Sequence, residues 1–116
     1  MNKRIATRIA VGILGAGAFL GATPAFALTA WHIDAAKVES WSSENHRKLH
    51  VYDTKADSRA VYGEYQRAGS DENYVMWNKS GSGTVVVSNS GNKILQARAC
   101  RQEQWAPDEC GGYVAN

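Results

Sequence analysis

Residues 49–66 read LHVYDTKADSRAVYGEYQ, and the class of the fold turns on them. Leu49-His50-Val51-Tyr52 alternates apolar and polar positions up to Asp53, and residues 60–66 are again rich in Val and Tyr. Such residues suit a pleated, half-buried surface. The polar stretch between them, Lys55-Ala56-Asp57-Ser58, supplies side chains that bond their own backbone in turns. The predicted unit is therefore two short strands around a turn, not a helix.

Working toward the C-terminus, the same alternation of strand and turn recurs. Residues 74–77, 84–87 and 94–100 read as further strands, separated by Ala68-Gly69-Ser70-Asp71, Ser80-Gly81-Ser82-Gly83 and Ser88-Asn89-Ser90-Gly91-Asn92. Gly111-Gly112-Tyr113-Val114 reads as a last edge strand, and Pro107 stands outside every strand. The expected domain, residues 47–116, is all-β: a small antiparallel sandwich or barrel of five to six strands. Cores of that size are marginal, and staples are common. Cys100 and Cys110 form an even pair, which in an exported chain reads as one disulfide.

Toward the N-terminus the pattern weakens. In residues 28–46 the positions of Trp31, Ile33, Ala36 and Trp41 follow a helical face only loosely, so this segment reads as a short helix, an added edge strand or a mobile leader. Residues 1–27 have the grammar of a secretory signal peptide: Lys3, Arg4 and Arg8, then the apolar run 9–20, then Ala25-Phe26-Ala27 as a cleavage motif. The run is shorter than the roughly 20 residues that span a bilayer, so no stable membrane anchoring is expected after cleavage. Cleavage after Ala27 would remove three of the 13 basic residues and none of the 11 acidic ones. The mature chain is then near neutral, which gives no electrostatic ground for nucleic acid as a partner.

Chemistry is sparsely signalled. His46 and His50 lie four apart near Asp53, but they lack the further ligands a metal site requires, and no metal or other cofactor is expected. Asp53 and Asp57 read as turn formers because Lys55 and Ala56 occupy positions where a calcium loop wants oxygen. Gly81-Ser82-Gly83 falls short of a nucleophile elbow, which needs a strand before it and a helix after it. No catalytic residue is assigned on this basis. The aromatic residues offer the better lead: Trp77 and Tyr62 on strands, and Trp105 beside Pro107 within the cysteine-bounded loop, are the candidate binding residues. For the strand rings, a place in the core is the competing reading.

The segments 51–57, 61–65 and 77–84, with Arg98-Ala99-Cys100 and the Asp108-Glu109-Cys110 ending, resemble small secreted proteins of filamentous actinobacteria. That resemblance implies export and a single disulfide, and it carries no catalytic residue to this chain. The expectation is an extracellular binding module, monomeric or weakly dimeric, whose partner is a protein or a glycan. Two alternatives stand beside it. One is a small secreted nuclease or glycan-cleaving hydrolase using Glu64 or Asp53 with His50; the other is a protease inhibitor presenting residues 101–109 as a substrate-like loop.

Overall fold

The computed structural model describes residues 27–116, so the expected signal peptide lies, apart from Ala27, outside the described residues. Among the described residues there are nine strands: β1 (Ala27–His32), β2 (Ala36–Trp41), β3 (His50–Asp53), β4 (Val61–Arg67), β5 (Tyr74–Asn78), β6 (Val85–Val87), β7 (Ile94–Arg101), β8 (Glu109–Cys110) and β9 (Val114–Ala115). They form two antiparallel sheets. The first has the order β1-β2-β3-β6; the second has the order β9-β7-β4-β5, with β8 also pairing β7.

The all-β expectation holds, and the five strands read between residues 49 and 100 all form within a residue or so of the predicted limits. Residues 28–46 require a correction, because apart from a 3-10 turn at Ser42–Glu44 they are neither a helix nor a mobile leader, and of the three alternatives only the edge strand is realised, in β1. They form a β-hairpin paired from Ala27↔Trp41 to His32↔Ala36, and β2 goes on to pair β3 as an interior strand. The physical reason is a period of two that the spacing of the large apolar residues conceals. Leu28, Ala30 and His32 face inward from β1, as do Ala36, Val38 and Ser40 from β2, whereas Thr29, Trp31, Lys37, Glu39 and Trp41 point the other way. Ile33 belongs to neither face, because it sits in the turn at φ 44°. This hairpin and the short β8 and β9 raise the strand number above the five or six expected.

The core lies between the sheets. Leu28, Ala30, Ala36, Val38, Leu49 and Val51 from the first meet Val61, Tyr65, Ile94, Ala97 and Ala99 from the second, with Tyr74 and Met76 packed against them. Gly63 allows a close approach within the core: a Cβ there would sit 2.8 Å from Leu49 Cδ2 and 2.9 Å from Val38 Cγ1. Two buried polar groups complete the joint. Asn78 donates from Nδ2 to the carbonyls of Val51 (3.0 Å) and Thr84 (3.1 Å), while its Oδ1 accepts from the Ser80 N–H and the Thr84 hydroxyl. Arg67 donates to the carbonyls of Arg47, Asn89 and Asn92 and lies over the rings of Tyr65 and Tyr74, which ties the loop after β6 to the second sheet.

Candidate functional site

The cysteines fix where the site is built. β7 and β8 pair so that Cys100 faces Cys110 and Arg101 faces Glu109, which places the two sulfurs side by side in a formed disulfide. The same register puts Tyr62 and Trp77 in one row with them on the outer face of the second sheet. Residues 102–108 leave the sheet between these anchors as a loop.

Both flanks of the loop are braced. On the inward side Arg101 is the hub: its Nη1 donates to Asp57 (3.0 Å), its Nη2 to Glu109 (2.9 Å) and its Nε to Glu103 (2.9 Å). Arg59 also pairs with Glu103, and the His32 ring of the first sheet lies 3.3 Å from Glu109. Burial alone would raise the Glu103 carboxyl, but the bonds from Arg59 and Arg101 outweigh it and hold that carboxyl below its usual range. On the outward side the Tyr62 hydroxyl donates to Asp108 (2.8 Å), and the other Asp108 oxygen accepts the Glu103 N–H (3.2 Å). Burial, reinforced by Asp108, pushes the Tyr62 phenol up to about 12. The Gln102 N–H completes the base by donating to the Ala60 carbonyl.

At the apex the order of exposure reverses. Gln104, Trp105, Ala106 and Pro107 are all exposed, and Trp105 is 95% exposed. Withdrawing roughly 200 Å² of indole from water is worth about 5 kcal/mol before the costs of association. A side chain of that kind on a braced loop is a preorganised anchor for a partner.

The three candidate binding residues thus divide. Trp77 and Tyr62 pack on each other, with ring centroids 4.4 Å apart, and Tyr62 is buried beneath the loop base it hydrogen-bonds. Trp105 alone projects. The residues named for hydrolysis are not brought together: His50 lies on the outer face of the first sheet, bonded to Glu44 at 2.7 Å, whereas Glu64 lies on the outer face of the second and pairs with Arg98. Asp53 faces inward and, like Asp57, caps a turn, accepting the Lys55 N–H as Asp57 accepts that of Arg59. His46 bonds Ser40 (2.9 Å), not a ligand shared with His50. Among the described residues Glu64, Cys100 and Cys110 are near enough to share a metal ion, but the two sulfurs are already bonded to each other.

Sequence reasoning missed a second constellation, on the outer face of the first sheet. Glu39 accepts from Trp41 Nε1 (3.1 Å), the Tyr52 hydroxyl (3.0 Å) and the Thr29 hydroxyl (3.4 Å), while Lys37 lies over the rings of Trp31 and Tyr52. Trp41 stacks on His50 at 3.9 Å. Burial, with Glu39 alongside, raises the Tyr52 phenol well above its ordinary value. The signal was the alternation Lys37, Glu39, Trp41, legible once the segment is read with a period of two. Thr29, Lys37, Trp41 and Tyr52 all spend polar groups on Glu39, while Trp31 on the same face stays half exposed.

No family model, curated protein or solved structure matches this chain.

Proposed function

We propose that this chain is an exported interaction module that engages an extracellular partner protein through Trp105. The observation that carries the reading is the 95% exposure of Trp105 at the apex of a loop closed by a disulfide and held by ion pairs on one flank and the Tyr62–Asp108 bond on the other. Export is supported by the basic, apolar and small-residue sequence of residues 1–27 and by the disulfide, a bond of oxidising compartments. Among the described residues no helix is long and apolar enough to cross a membrane.

Affinity capture from the culture supernatant of the producing cells, with wild-type and Trp105→Ala protein side by side, tests the proposal. A partner enriched by the wild type and lost by a variant of unchanged melting temperature is the expected result. Identical partners on both would remove the loop from the account. N-terminal sequencing of the native product tests export separately: a chain beginning at Leu28 is expected, and one beginning at Met1 contradicts it.

A further inference from the structure

We infer that the partner is a serine endopeptidase with an apolar specificity pocket, and that residues 102–108 are a substrate-like inhibitory loop presenting the Trp105–Ala106 bond. This rests on the reading of Trp105 as the interaction residue and assigns the class of its partner. The loop protrudes, so its partner is concave. Gln104, Trp105, Ala106 and Pro107 are exposed in succession, so a cleft can embrace the chain on both sides of Trp105 and not merely its tip. None of residues 102–108 has a positive φ, and the chain bends at residues 104–106, which sets Trp105 at the tip. The charge pattern selects among proteases. The apex 104–107 carries no ionisable side chain, and the acids below it are spent on internal partners: Glu103 on Arg59 and Arg101, Asp108 on Tyr62, and Glu109 on Arg101. An indole presented on a neutral apex fits an apolar pocket, as found in chymotrypsin-like enzymes, and not the acidic pocket of trypsin-like ones.

The staple explains why such a loop would inhibit and not simply be digested. When the protease serine attacks the Trp105 carbonyl carbon, the bond to the Ala106 nitrogen breaks, that nitrogen takes the proton from the enzyme's base, and an acyl-enzyme forms. The leaving amine cannot diffuse away. Trp105 remains joined through residues 101–104 to Cys100, Ala106 through residues 107–109 to Cys110, and the disulfide unites the two arms. Held at high effective concentration, the amine re-attacks the ester and restores the peptide bond faster than water hydrolyses it. The braces on Glu103 and Asp108 keep both arms in place in the same way, and a preorganised loop loses little entropy on binding.

Titration of bovine chymotrypsin and trypsin with the mature, oxidised protein tests this. Stoichiometric loss of chymotrypsin activity with trypsin untouched is expected. Trp105→Ala should weaken inhibition on the order of 30-fold or more, and Trp105→Arg should transfer it to trypsin. Because Trp105 is exposed, both variants should melt with the wild type, which the same experiment records. Reduced and alkylated protein should be cut between Trp105 and Ala106 as an ordinary substrate. The inference is overturned if neither enzyme is inhibited, if Trp105→Ala inhibits as well as the wild type, or if the oxidised loop is cut as fast as the reduced one. Should these arms fail while Trp105-dependent capture of another partner persists, the inhibitor falls and the interaction module stands; if capture is also indifferent to Trp105, both fall.

Discussion

At the scale of single residues, the structure depends on a few side chains whose shape and hydrogen-bonding pattern admit no substitute. Asn78 is fully buried and uses both amide donors on carbonyls of the first sheet, so a carboxylate in its place would set oxygen against oxygen. Asn78→Asp should lower unfolding free energy by about 3 kcal/mol at neutral pH, as measured by urea denaturation, although it changes the side chain by one atom. Ile33 is the opposite case, a β-branched residue held at φ 44° while 60% exposed. Left-handed backbone is costly for such a residue, so Ile33→Asn should raise stability by about 1 kcal/mol in the same assay. Tyr62 sets a pH dependence. Its folded pKa of about 12 lies above the ordinary phenol value near 10, so the stability it contributes is intact below pH 10 and is lost as pH rises toward 12. Tyr62→Phe should reduce the fall in melting temperature between pH 10 and 12, leaving the part due to Tyr52, whose phenol is shifted in the same direction. Little of this was legible in the sequence. Asp53 and Asp57 were recognisable as turn formers because a turn aspartate bonds its own neighbourhood, as Asn78 also does by accepting the Ser80 N–H, whereas the Asn78–Val51 and Tyr62–Asp108 bonds span 27 and 46 positions.

At the scale of elements, the strands between residues 49 and 100 were legible because local alternation and turn chemistry coincide there, and Gly81 and Gly83 do take the positive φ that their turn requires. The β1–β2 hairpin was hidden for a physical reason. Its turn is made by Ile33, Asp34 and Ala35 without Gly, Asn or Pro, and its inward positions include Ala30, His32 and Ser40, so neither the turn signal nor the apolar stripe is strong. The cysteine pairing was legible, but the cluster around Arg101 was not, since Asp57, Arg59 and Glu103 converge only when β4 and β7 pair. The bridge itself is testable at this scale. Replacing both cysteines by serine should cost about 3 kcal/mol in the chain-entropy account and should be read as a lower midpoint of guanidinium unfolding. The same double variant should show proteolytic nicking within residues 102–108, while the strands of the first sheet keep their hydrogen-exchange protection.

For the whole molecule, the two sheets touch not only across the core but also at a seam where the C-terminal segment meets β1. Gly111 packs directly on the Trp31 carbonyl, and a Cβ there would overlap that oxygen. Gly63 is crowded by the buried side chains of Leu49, Val38 and Val51, which must repack to make room, whereas Gly111 is crowded by backbone, which has no other rotamer to adopt. Gly111→Ala should therefore destabilise more than Gly63→Ala, by about 3 kcal/mol against about 1 to 2, as calorimetry will show. That seam, with His32 beside Glu109, links the first sheet to the base of the Trp105 loop, so the sandwich as a whole holds the loop in position. The most direct measurement is ¹⁵N relaxation across residues 102–108 in the oxidised protein. Backbone order parameters close to those of the strands, about 0.85, together with a Trp105 indole N–H that exchanges freely with water, are the expected result. Values below about 0.6 along the loop, or an indole protected from solvent, would contradict it.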